Sequence, residues 1–226
     1  VTTGLRRFVA PSAELGRRSP WDPRGSTAQN EIGAPAEAEK CELCTAAVGP
    51  EHGHLVDVAA HSLKCACRAC WLLFTQEGAA QGRWRTVPDR FLHDPDLQLT
   101  DAQWDSLQVP VGMAFFFRQS DMEGPVAFYP SPAGATESLL PLDTWDELAQ
   151  QSPLIGALEP DVEALLVRRH PDGTYQCHLV PIDACYELVG RVRVTWKGFD
   201  GGEEAWSAID GFFAGIAERS RPVEAA

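Results

Sequence analysis

Cys41-Glu42-Leu43-Cys44 and, after 22 intervening residues, Cys67-Arg68-Ala69-Cys70 decide how this chain is read. Two residues between paired cysteines allow a tight turn to aim both sulfurs at one ion, and four thiolates complete a tetrahedral shell that suits Zn²⁺. The long intervening loop costs little, because closure entropy grows only slowly with length. Between the pairs, Leu55 to Val58 and Leu63 to Cys65 are spaced to form a β-hairpin. A helix is expected to start near Cys67 and to run through Trp71, Leu72 and Phe74. Knuckle, hairpin and helix N-terminus follow one another as in a treble-clef metal module. A helix N-terminus also favours thiolates, since its free N–H groups and dipole both attract negative charge.

The expected ligands are Cys41, Cys44, Cys67 and Cys70, with Cys65 and His54 in reserve. Positions 65 and 67 would share a face of a continuous strand, so Cys65 can compete for the site, sit beside it as a redox neighbour, or fill core. A histidine, His54 or His61, can replace one cysteine. Zinc is the expected metal, and iron or an Fe–S cluster is the alternative. The Cys-x-His pairs of a Rieske centre are absent, and Thr45 and Trp71 stand where rubredoxin knuckles usually carry glycine. About 30 residues cannot bury enough surface to fold alone, so the metal would supply the folding energy.

Outward from this stretch the chain divides into an arm (1–40), the cysteine-rich module (41–75), an α+β domain (76–220) and a short tail (221–226). The arm carries Pro11, Pro20, Pro23 and Pro35 and no sustained apolar period, and is read as disordered apart from a docked turn near Trp21. In the domain, Trp84–Val87, Val111–Phe117 and Val126–Tyr129 read as strands, and Thr100 and Asp143 as helix caps. Pro171-Asp172-Gly173 is a turn signal joining Glu163–Arg169 to Tyr175–Ile182 in a hairpin. Asp183 is expected to cap a short helix ending near Gly190. Arg191–Trp196 alternates and reads as another strand, and Trp206, Ile209, Phe212, Phe213 and Ile216 recur at helical spacing. The fold class is therefore α+β, a small treble-clef-like metal module followed by a mixed α+β domain.

Charge narrows the partners. The formal net charge of −13 divides into +3 over residues 1–30 and −16 over the rest, so the body repels phosphate backbones and nucleic acid is not an expected partner. No apolar run reaches the roughly 18 residues of a membrane span. Arg6-Arg7-Phe8 lacks the apolar stretch that a twin-arginine export signal needs, so a cytoplasmic location is expected. In that reducing setting, five of seven cysteines within 30 residues point to metal rather than disulfides.

Elsewhere the chemistry is softer. Small and hydroxylated residues from Ser131 to Ser138 follow a strand and can line a pocket or form an irregular loop. Asp161, Glu163, Asp183 and Glu187 are carboxylates beside apolar segments, where ends of elements explain them as well as acid–base work does. Cys177 and Cys185 read as core, and His178 as facing away from Cys177.

Several motifs together carry a resemblance. They are Cys41-Glu42-Leu43-Cys44, His52-Gly53-His54-Leu55, Leu63 to Cys70, Pro110 to Phe117, Tyr129 to Gly134, Asp161 to Val167 and Pro181 to Gly190. The set resembles an uncharacterised bacterial family, known only as a domain of unknown function, whose members are encoded near high-affinity [NiFe]-hydrogenase genes and their maturation factors. The resemblance covers roughly residues 41–215 and brings no established active site. It implies a non-enzymatic metal-binding accessory protein that assists hydrogenase maturation or assembly, with a hydrogenase subunit or maturation factor as protein partner. The first alternative is an iron or Fe–S electron-transfer protein serving a larger oxidoreductase. The second is a hydrolase or transferase using the Ser131–Ser138 loop.

Overall fold

The structure, a computed structural model, describes residues 39–76, 78–107, 109–138 and 142–224. The arm, apart from residues 39 and 40, and its turn near Trp21 lie outside the described residues, as do the end of the tail and the side chain of Asp143.

Two sheets organise the chain, and it is α+β. The small one has order β2-β1-β3, from Gly53–Asp57 (β1), Ser62–Ala66 (β2) and Trp84–Thr86 (β3), all antiparallel. The expected hairpin between the cysteine pairs is therefore present, and its third strand comes from beyond residue 75. Helix α1, Arg68–Leu73, follows β2 with Cys67 as its N-cap.

The large sheet has seven strands in the order β10-β4-β9-β8-β5-β6-β7. They are Leu92–His93 (β4), Met113–Arg118 (β5), Pro125–Ser131 (β6), Gly134–Ser138 (β7), Glu163–Arg169 (β8), Tyr175–Pro181 (β9) and Arg221–Pro222 (β10). Neighbours are antiparallel except β10, which runs parallel to β4 and draws the start of the expected tail into the sheet. The β8–β9 hairpin turns at His170–Thr174, where Gly173 adopts φ 81°, a conformation glycine tolerates.

The run Met113–Phe117 is apolar throughout because β5 is covered on both faces. Phe115 and Phe117 pack with Phe128, Leu166 and Val180 beneath α5 (Ile182–Thr195) and α6 (Gly202–Arg219). Ala114 and Phe116 point the other way, toward Trp104 of α2 (Asp101–Ser106), Trp145 and Leu148 of α3 (Leu142–Gln151) and Leu154 of α4 (Pro153–Gly156). Cys177 belongs to this second core, whereas His178 meets Ser220 on the first side, 2.9 Å away, so strand alternation separates the two as expected. Thr100 caps α2 in a full capping box with Gln103.

Three expectations are corrected. Arg191–Trp196 is not a strand; α5 continues through Thr195. Cys185, Leu188, Val189 and Val192 form one buried stripe at helical spacing, while Val194 is 82% exposed, so the apparent alternation had no second buried member. Asp183 is not a cap; it lies in the first turn of α5, whose N-cap is Pro181, and its carboxylate is engaged elsewhere. The Ser131–Ser138 stretch is not an irregular loop but the turn and second strand of a β-hairpin. The Ser131 hydroxyl donates to the Gly134 carbonyl (2.9 Å) and accepts from Ala133 N–H and the Thr136 hydroxyl (both 3.2 Å).

Small sheet and large sheet are joined by apolar contact and by ion pairs. Val56 is part of the core beneath α5, with Val58 and Leu63 packed against it. Arg85 reaches Asp161 (3.2 Å) and the Pro160 carbonyl (2.6 Å). His61 accepts from Gln119 Nε2 (2.9 Å) at Nδ1, so its Nε2–H donates to Asp121 (3.1 Å). That use removes His61 from the candidate ligands.

Candidate metal centre

The four cysteines are brought together by three local structures. The first is the knuckle at residues 41–47, where Cys41 N–H bonds the Ala46 carbonyl and Thr45 N–H the Cys41 carbonyl, both at 2.8 Å. Thr45 takes φ 63°, a left-handed conformation that costs a β-branched residue roughly 1–2 kcal/mol. The turn is thus held against its own preference. The second is β2, tied to the knuckle through Glu42 N–H to the Cys65 carbonyl (2.9 Å) and Cys65 N–H to the Glu42 carboxylate (2.8 Å). The third is α1, which carries Cys67 at its N-cap and Cys70 one turn in.

The ligand atoms of Cys41, Cys44, Cys67 and Cys70 all lie within 4.8 Å of one another, and Cys44 Sγ is 3.6 Å from Cys67 Sγ. Four sulfurs about 2.3 Å from a tetrahedral ion stand about 3.8 Å apart, so the spacing fits one ion. A disulfide, with sulfurs about 2 Å apart, does not match it. Cys41 is 1% exposed and Cys70 8%, among Leu55, Ala66 and the surrounding Leu43, Trp71, Phe74 and Trp84; Cys44 is exposed.

The electrostatics match an ion-binding role. Burial would raise the Cys41 thiol, but N–H groups of Cys67, Cys44 and Leu43 directed at its sulfur outweigh burial and bring it down to about 6. Cys70, bonded to the Cys44 sulfur and kept from water, is pushed up to about 12. One thiolate is therefore favoured, and a bound cation would draw the protons from Cys44 and Cys70, which lie above the ordinary thiol value.

Trp71 closes the module from the side. Its Nε1–H donates to the Val87 carbonyl (3.3 Å), and the Arg68 guanidinium lies 4.6 Å from its ring centre. Gly53 leaves room for that ring; a Cβ there would stand 2.5 Å from Trp71 Cδ1. Gly53→Ala is expected to destabilise the protein by about 1–3 kcal/mol, because ring and strand cannot both keep their places. A thermal melt with tryptophan fluorescence checks this, and an unshifted melting temperature would show that the ring moves freely.

The reserve ligands His54 and Cys65 do not join the four sulfurs. They fall with His52 in a separate group whose ligand atoms also lie within 4.8 Å of one another. His52 was not singled out from the sequence, although the His52-Gly53-His54 spacing places both imidazoles on one side of an extended chain. The carboxylates considered for acid–base work are engaged in structural contacts. Asp161 accepts from Arg85 and Ser120 N–H, Glu163 from Arg90, and Glu187 from Arg191 one turn along α5.

The profile of a family of unknown function, DUF5947, matches residues 40–220. The chain belongs to DUF5947. The match begins at the knuckle and runs through the whole of α6, so the cysteine cluster and the large sheet, apart from β10, are parts of one family unit. No curated protein matches the chain, and no solved structure matches it. Among the described residues no helix is long and apolar enough to cross a membrane.

Proposed function

We propose that this chain is a non-enzymatic accessory protein, in which zinc bound by Cys41, Cys44, Cys67 and Cys70 holds a treble-clef-like module against an α+β body that docks on a protein partner. The observation that carries the reading is the approach of four sulfurs to within 4.8 Å, delivered by a knuckle, a hairpin and a helix N-terminus in that order. All four sites are filled by protein, which is the pattern of a structural rather than a catalytic zinc.

Partner binding draws support from the surface of the module. Leu72 and Leu73 on α1 are 50% and 68% exposed, side by side and next to the metal ligands. Adjacent exposed leucines on a metal-stiffened helix suit a protein contact. The resemblance of the motifs to a family encoded beside [NiFe]-hydrogenase genes directs the search to hydrogenase subunits and maturation factors, for an assembly role.

Element-resolved mass spectrometry on anaerobically purified protein, with a visible spectrum, tests the metal. Stoichiometric zinc without visible bands is the expected result. Stoichiometric iron with thiolate-to-iron charge-transfer bands would overturn the structural reading and make electron transfer the working function. Titration against purified hydrogenase subunits and maturation factors tests the partner. Leu72→Asp with Leu73→Asp is expected to weaken binding by tenfold or more, about 1.4 kcal/mol.

A further inference from the structure

The second group of ligand atoms lies on the other face of the hairpin. His54 and Cys65 are directly opposed in the β1–β2 register, so their side chains share a face. Their neighbours Leu55 and Ala66 turn to the opposite face and pack with Cys41 and Cys70. The period of two along a strand therefore puts His52, His54 and Cys65 on one side and the four-cysteine centre on the other, and the two groups do not compete for one ion.

The hydrogen bonds fix which imidazole nitrogens are available. His52 Nδ1 is 2.8 Å from the Gly49 carbonyl, with the Glu39 carboxylate 3.6 Å away. Both partners only accept, so Nδ1 carries the proton and Nε2 a lone pair. His54 Nδ1 is 2.8 Å from the Asp183 carboxylate, which imposes the same tautomer. Imidazoles that bind metals are oriented in this way, one nitrogen donating to a carboxylate or carbonyl and the other ligating.

One atom lacks a partner. The His52 side chain is 8% exposed, and its Nε2 is buried without any hydrogen bond, alone in this among the described side-chain nitrogens and oxygens. An unmet buried acceptor destabilises the fold, and a Lewis acid at that lone pair would remove the cost.

We propose that His52 Nε2, His54 Nε2 and Cys65 Sγ form a second metal site, for a divalent transition-metal ion, with the fourth tetrahedral position left to an exogenous ligand. Two imidazoles and one thiolate are donors of intermediate softness that suit Zn²⁺, and three protein ligands are the pattern of an open rather than a closed zinc site. His52 and His54 line a cleft of about 1430 Å³ that Arg68, Trp71 and Asp183 also border, which gives water or a small anion access. The site is independent of the four-cysteine centre and gives the protein a reactive or exchangeable metal beside a structural one.

The test loads full-length protein with Zn²⁺, removes excess metal and measures bound zinc in the wild type and in Cys65→Ala, His54→Gln and Cys44→Ser. The first two variants are expected to lose about one equivalent each while keeping the other, and Cys44→Ser to lose the complementary one. Unchanged zinc in folded Cys65→Ala and His54→Gln overturns the second site and leaves the four-cysteine centre standing. Zinc lost in Cys65→Ala but complete in Cys44→Ser keeps the second site and overturns the four-cysteine reading. X-ray absorption at the zinc edge of the loaded wild type needs no variant: imidazole scattering is expected, and an all-sulfur shell overturns the proposal.

Discussion

Chelation at neutral pH is expected to unfold the module around the four cysteines while leaving the seven-stranded sheet folded. The module's own core is Cys41, Leu55, Ala66 and Cys70 with a few half-buried neighbours. Roughly 2 kcal/mol for each fully buried aliphatic side chain does not offset the entropy of ordering some forty residues at 1–2 kcal/mol each. A structural zinc contributes on the order of 10 kcal/mol, so its removal outweighs any single side-chain change. Hydrogen exchange followed by mass spectrometry reads the result. Amides of β1 and β2 should lose protection on chelation, and those of β5 and β8 should keep it. Protection of β1 and β2 surviving full removal of metal would show that burial against the large sheet, through Val56 and Leu63, is sufficient.

The same centre sets a pH dependence. Cys70 is pushed up to about 12 in the metal-free protein, and Cys44 also lies above the ordinary thiol value. Their protons must leave when the ion binds, so affinity is expected to fall as pH falls. Cys41 is lowered to about 6, so below that pH it too must lose a proton and the loss of affinity should steepen. Zinc retention measured from pH 8 down to 5 checks the sign; retention that is flat across this range would mean that thiolates are not the ligands.

Arg90→Met is expected to cost about 4 kcal/mol, the second largest effect, with no metal involved. Glu163 is fully buried, and Arg90 grips it with two bonds, Nε to Oε1 at 2.7 Å and Nη2 to Oε2 at 2.5 Å. The same Nη2 donates to the Ala157 carbonyl at 2.9 Å, and Glu159 N–H adds a bond to Oε2 at 2.9 Å. Removing the guanidinium leaves a buried carboxylate with one remaining backbone donor, and that uncompensated charge is what destabilises. Replacing both partners, Arg90→Met with Glu163→Gln, is expected to recover much of the loss, since no charge is then stranded. Urea denaturation of the single and double variants decides it. A double variant no more stable than Arg90→Met would place the effect in packing by the arginine stem.

Much of this architecture is legible in local pattern. The C-x2-C pairs, the Thr100 cap and the Pro171-Asp172-Gly173 turn act over a few residues, and each produces the element expected of it. The cases that misled are those where distant packing decides. Arg191–Trp196 alternates in sequence, yet Val192 is its one fully buried residue and Val194 is exposed, because α5 is already committed upstream by Cys185, Leu188 and Val189. Ser131 to Ser138 offers hydroxyls and small residues, and whether these form a loop or a strand depends on β6 being present to pair with.

By itself the sequence determined that four cysteines would meet, since their spacing, the hairpin between them and the helix after them are short-range consequences of chain geometry. It also determined the two-sided burial of β5, written in an uninterrupted apolar run. Tertiary structure alone decided what would orient His54 and which guanidinium would meet the buried Glu163. His54 meets Asp183 across 129 residues, and Arg90 meets Glu163 across 73. No local period encodes such pairings, because they arise only when distant segments pack together and the polar groups buried between them must find partners there.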